Sequence, residues 1–136
     1  MKRFAIDTGP LVAFLNARDA FHRWTIETLD EIEPPLQTCE AVISEACFLV
    51  RELKGGPDAV LSMVSRGHVS VSFHLDAELD TVRRLVARYA SVPMSIADAC
   101  LVRMTELDPE LSVITLDRDF RVYRRNGRQT IPVIMP

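Results

Sequence analysis

The chain has 136 residues, 48% of them hydrophobic and 26% charged, with a formal net charge of −3. Those proportions suit one globular domain over residues 1–136 with a real core, and so mild a charge singles out no partner. No apolar run reaches the roughly 18 residues of a membrane span, and Met1-Lys2-Arg3 enters a strand-like segment without a signal-peptide pattern, so no membrane partner and a cytoplasmic location are expected.

Phe4–Asp7 reads as a short buried strand, and Gly9-Pro10 opens a helix through Leu15, with Pro near the first turn where its missing N–H is harmless. Phe21, Trp24, Thr28, Leu29 and Ile32 fall at helical spacing, and Pro34-Pro35 stops that helix. Leu36–Thr38 is a candidate strand. Thr38 then caps a long helix to Lys54, which Gly55-Gly56-Pro57 breaks, and Asp58 caps a short helix to about Ser65. Val69–Phe73 alternates like a strand. Leu79, Val82, Val86 and Tyr89 form one helical stripe, which Pro93 ends. Ser95 starts the next helix, Ser112–Leu116 is a strand and Ile131–Met135 a last one. Strands alternating with helices imply a three-layer α/β/α domain around a central parallel sheet.

Cys39, Cys47 and Cys100 are odd in number and lie in apolar helical stretches, which fits reduced core thiols. His22, His68 and His74 lack metal-ligand spacing, which argues against a zinc enzyme.

Four acids stand out because each sits in or against an apolar run. Asp7 ends Phe4-Ala-Ile-Asp7. Glu45 is the one charge between Ala41 and Val50. Asp98 is alone between Ser91 and Val102, and Asp117 closes Val113-Ile-Thr-Leu-Asp117. Desolvating a carboxylate costs several kcal/mol, so buried acids need partners, and no Lys or Arg lies in these runs. Singly, three have structural explanations: Asp7 as a helix cap, Asp98 in a Ser95-Ile-Ala-Asp98 capping box, Asp117 in an Asx-turn. Glu45, in mid-helix, has none. Jointly they point elsewhere. Asp7 and Asp117 end predicted parallel strands, and open α/β sheets bind ligands beyond the carboxyl ends of their strands. Four gathered carboxylates repel and call for a cation. Oxygen ligands without His or Cys favour Mg²⁺ or Mn²⁺, which would hold a phosphodiester and activate water.

With Phe4-Ala-Ile-Asp7-Thr8, Glu45, Ser95-Ile-Ala-Asp98-Ala99 and Thr115-Leu-Asp117-Arg-Asp119-Phe120 in this order and spacing, the chain resembles PIN-domain proteins, in particular the short VapC-type toxins of toxin–antitoxin pairs. The resemblance covers the whole chain. It implies a metal-dependent endoribonuclease acting on RNA, a cognate antitoxin and a homodimer. It makes Asp7, Glu45, Asp98 and Asp117 the catalytic acids, with Asp7, Asp98 and Asp117 on the metal. Thr8 and Thr115 become polar supports, and Asp119 a fifth acid or a loop cap.

Arg118, Arg121, Arg124, Arg125 and Arg128 follow Asp117 closely. They form either a phosphate-contacting rim for RNA or a solvated surface. Phe21 and Trp24 fit a core stripe better than a groove for an antitoxin helix. Two rival functions stand beside the nuclease. One is a non-catalytic RNA- or protein-binding module of the same fold. The other is a different metal-dependent phosphohydrolase, which would favour an Asp-x-Asp strand end where this chain has Asp7-Thr8-Gly9.

Overall fold

The structure, a computed structural model, describes residues 2–136. Five parallel strands form its central sheet in the order β3-β2-β1-β4-β7. These are β1 (Arg3–Ile6), β2 (Leu36–Thr38), β3 (Val69–Val71), β4 (Leu111–Ile114) and β7 (Val133–Ile134). The helices that flank it are α1 (Thr8–Leu15), α2 (His22–Asp30), α3 (Glu40–Leu49), α4 (Gly56–Ser65), α5 (Leu79–Arg88) and α6 (Ile96–Leu107). Helix α1 packs on α2 and α3, and α5 packs on α6. The expected α/β/α architecture is the observed one.

The strands are short, apolar and covered, as parallel strands must be. Ala5, Ile6, Leu111, Val113 and Ile114 are all fully buried, and each large aliphatic chain removed from water contributes about 1.5–3 kcal/mol. From β1 the chain builds outward to β2 and β3, then crosses back to lay β4 on β1's other side. The order therefore reverses between β1 and β4, and the crevice beyond their carboxyl ends is where such sheets place ligands. Asp7 follows β1 directly, its N–H donating to the Ile114 carbonyl at 3.0 Å.

Several boundaries differ from the sequence reading. Helix α1 starts at Thr8, before Gly9-Pro10, because the Asp7 carboxylate accepts the Thr8 N–H at 2.8 Å and caps the helix. Thr38 is not a cap: it is buried in β2 and donates its hydroxyl to the Ile6 carbonyl at 2.9 Å, tying β2 to β1. Cys39 occupies the cap position of α3, just outside the helix. That helix ends at Leu49 rather than Lys54, and Asp58 lies inside α4, not at its cap. Gly56 makes this tight connection possible, because a Cβ there would overlap the Val50 carbonyl.

On α5 the core face is Val82 and Leu85, continued by Tyr89, whereas Leu79 is exposed. Phe21 is likewise exposed rather than part of the core stripe, while Trp24 packs against the core. Strands β3, β4 and β7 are shorter than read. A two-stranded ribbon, β5 (Arg124–Arg125) against β6 (Gln129–Thr130), was missed. Its signal was Asn126-Gly127, both at positive φ (52° and 83°), the dipeptide that closes tight hairpins. The three cysteines are free thiols.

Candidate active site

Asp7, Glu45, Asp98 and Asp117 line one cavity of about 790 Å³ at the crevice, together with Thr8, Ser44, Phe48, Leu49, Ser95 and others. Each acid arrives on a different element. Asp7 is the turn from β1 to α1, Glu45 is on α3, Asp98 is in the first turn of α6, and Asp117 follows β4. The four are not equally buried. Asp7 and Asp98 are 6% and 8% exposed and Asp117 is half-buried, but Glu45 is exposed at the rim. The sequence reading set Glu45 in an apolar run. The run is apolar because Val42 and Ala46 face the core, while Glu45 lies on the helix's other side.

Hydrogen bonds hold each carboxylate in place. Thr115, fully buried, donates its hydroxyl to Asp7 Oδ2 at 2.7 Å and accepts the Asp117 N–H at 3.0 Å. Thr8 donates to Glu45 Oε1 at 2.8 Å. Asp98 sits in a complete capping box: its N–H donates to Ser95 Oγ at 3.0 Å, and its Oδ2 accepts the Ser95 N–H at 3.3 Å. The same Oδ2 accepts the Tyr123 hydroxyl at 3.0 Å. Asp117 Oδ1 accepts the Asp119 N–H at 2.9 Å, capping a short 3₁₀ turn, Arg118–Arg121. The single-residue structural explanations and the shared pocket therefore hold together: the caps fix the carboxylates that line the cavity.

The electrostatics are those of uncompensated negative charge. Burial pushes the Asp7 carboxyl up to about 6; bonds from Thr115 and Thr8 pull it down, and Asp98 and Asp117 push it further up. Burial also raises Asp98, against the Tyr123 and Ser95 bonds. Among the described residues no Lys or Arg lines the cavity and no ion pair involves these four acids. Oxygen donors around unneutralised charge fit a hard divalent cation. As the side chains lie, no group of three His, Cys, Asp or Glu among the described residues is drawn together tightly enough to hold one. Among the described residues, Asp98 Oδ1, Asp117 Oδ2 and Glu45 Oε2 nevertheless carry no hydrogen bond, so these three acids each keep an oxygen for a ligand, whereas both Asp7 oxygens are already bonded.

No family model matches the chain. It is 29% identical over 132 residues to Ribonuclease VapC26 of Mycobacterium tuberculosis, an alignment covering 95% of this chain and 98% of that protein. Over nearly its whole length the chain is thus similar to a VapC ribonuclease. Its fold matches the crystal structure of Mycobacterium tuberculosis VapC20, a sarcin-ricin loop cleaving toxin, with a TM-score of 0.73 and 22% identity over 88% of this chain and 93% of that one.

Around the four acids the arginines divide. Arg124 donates to the carbonyls of Arg121, Val122 and Tyr123, and Arg125 to those of Thr105 and Pro109. Arg118 and Arg121 remain exposed beside Asp117. Tyr123 escaped the sequence reading, because an aromatic in an irregular segment carries no periodic signal. Phe48 and Leu49, within the apolar run between Ala41 and Val50, are exposed at the rim.

Proposed function

We propose that this chain is a metal-dependent endoribonuclease, the toxin of a VapBC-type pair. The observation that carries the reading is the gathering of four acids from four distant segments on one cavity that no basic side chain enters. The kinship to a protein named a ribonuclease supports it. Asp7, Asp98 and Asp117 would hold Mg²⁺ or Mn²⁺ through their free lone pairs. The ion supplies Lewis acidity for attack of water on a phosphodiester. Glu45, steadied by Thr8, would orient the water, and Arg118 and Arg121 would meet flanking phosphates.

The partner belongs to the same proposal. A second groove, about 610 Å³, is lined by apolar side chains including Phe14, Ile26, Leu29, Ile32 and Met63. Helix α1 joins the two sites: Thr8 and Gly9 lie at the acid cavity and Phe14 in the groove, roughly 9 Å apart along the helix axis. An antitoxin tail seated in the groove would bring an Arg or Lys to the acids and compete with the cation. The exposed Phe48, Leu49 and Ile96 near the cavity offer surface for a homodimer.

Asp98→Asn tests the site. Asn keeps the shape and an acceptor for Tyr123 and Ser95 but removes a charge that the cation needs. RNA cleavage should fall at least about 100-fold, with metal-free stability preserved or raised by relief of repulsion. The variant should also bind a candidate tail peptide more weakly than wild type. Substantial cleavage by purified Asp98→Asn protein refutes the site, and equal peptide affinity refutes the charge-recognition part. A non-catalytic RNA- or protein-binding module is the second reading, favoured by the lack of a ready-made ligand group. Wild-type protein that binds RNA but never cleaves it with Mg²⁺ or Mn²⁺ would establish that reading instead.

A further inference from the structure

Asp98 is held from one side. Its Oδ2 receives both the Ser95 N–H and the Tyr123 hydroxyl, and its Oδ1 receives no protein donor. Among the described residues the one buried side-chain N or O atom without a partner is Arg125 Nε. Oδ1 is therefore not a sealed orphan but opens to the cavity that Asp98 lines. Two donors on one oxygen fix the rotation of the carboxylate, and the hydroxyl, at 3.0 Å against 3.3 Å, is the closer of the two.

Tyr123 is built to stay where it is. It is fully buried, with ring edges of Tyr89 and Phe120 at centroid distances of 5.1 and 5.2 Å. Its N–H bonds the Asp119 carbonyl at 3.0 Å, inside the turn that Asp117 caps. Its phenol has the Asp98 carboxylate as its one hydrogen-bond partner. Burial and the neighbouring acids Asp98, Asp119 and Asp117 keep it protonated, so it remains a donor.

We propose that Tyr123 is a positioning residue of the acid site, its hydroxyl clamping Asp98 Oδ2 so that Oδ1 faces a divalent cation in the cavity. This rests on the metal-dependent reading above. The segment after β4 then has two duties: it carries Asp117 and braces Asp98.

The test is Mn²⁺ titration calorimetry on metal-free full-length protein, with RNA cleavage and chemical denaturation alongside. Tyr123→Phe keeps the ring and removes the hydroxyl. Tyr89→Phe is the control, because it deletes another buried hydroxyl, one that accepts the Arg124 N–H at 2.9 Å and touches no acid. Tyr123→Phe should bind Mn²⁺ about tenfold more weakly and cleave more slowly, as loss of a partner that orients a ligand does. Tyr89→Phe should lose stability yet keep wild-type Mn²⁺ affinity. Should Tyr123→Phe fail to fold, tyrosine absorption decides: saturating Mn²⁺ should shift it in wild type and in Tyr89→Phe alike, because the cation draws charge from the phenol's acceptor. Unchanged Mn²⁺ affinity in Tyr123→Phe, or no absorption shift in wild type at saturation, overturns the proposal. Wild-type protein that cleaves RNA without binding Mn²⁺ or Mg²⁺ overturns the metal-dependent reading itself, and is told apart because Asp98→Asn then matches wild type in the titration.

Discussion

Thr115 shows how one hydroxyl serves two acids. It donates to Asp7 and accepts from the main chain of Asp117, within the core and shielded from water. Thr115→Val keeps the shape but leaves a buried acceptor and a half-buried N–H without their partner, at a cost of about 1–3 kcal/mol. The hydroxyl also lowers the Asp7 carboxyl, so its loss moves that group upward. If cleavage requires ionised Asp7, the acid limb of the pH–rate profile should shift to higher pH in Thr115→Val and stay in place in Thr115→Ser. A limb that does not move in Thr115→Val would show that Asp7 ionisation does not govern the rate. Thr115 was named as a support only through the family resemblance, because a lone Thr in a strand end carries no signal of its own. Tyr123 was not named, because its contact with Asp98 spans 25 residues and depends on tertiary packing.

Among the elements, α6 was the most readable. Ser95 and Asp98 have the spacing of a capping box, and the box is present with both bonds. Ser95→Ala should cost about 1 kcal/mol, the usual penalty for a lost cap. Cleavage should fall less than in Tyr123→Phe, since the Ser95 N–H and the Tyr123 hydroxyl still hold Oδ2. Denaturation midpoints and cleavage rates of the two variants give the comparison; a larger catalytic loss in Ser95→Ala would mean that the cap, not the phenol, orients Asp98. Where the sequence misled, packing had overridden local signals. Thr38 has a good capping side chain, but β2 needs it inward against Ile6. On α5 the expected stripe missed Leu85, which is buried, and included Leu79, which is exposed, while Val82, Val86 and Tyr89 do pack against the core.

For the molecule as a whole, the site is a burden on stability. Asp7 titrates at about 6 in the folded chain against an ordinary 3.8, and Asp98 moves in the same direction. The folded state thus holds these protons more tightly than the unfolded one. That stabilisation is complete below about pH 3.8 and is lost as the pH rises through 6. Asp108, held low by Arg3, acts in the opposite sense, but only at more acid pH. Metal-free protein should therefore be less stable at pH 8 than at pH 5, by about 1 kcal/mol from Asp7 alone. Added Mg²⁺ or Mn²⁺ should restore the difference at pH 8 and do little at pH 5. Urea midpoints in chelator and in metal measure both effects; a midpoint that holds or rises from pH 5 to pH 8 in chelator would contradict them.

The strand order also sets a timetable. Strand β1 is synthesised first but lies between β2 and β4, and the chain must reach residue 111 before β4 can dock. Asp7, in the first tenth of the chain, is steadied by Thr115, which lies 108 positions further on. Pairings so remote in sequence form late, after long loops have closed. A nascent chain still on the ribosome thus carries its first acids well before it has a site, and a fragment cut short of β4 never acquires one. If the chain cleaves RNA, that activity cannot assemble until the segment carrying Thr115 and Asp117 has been made.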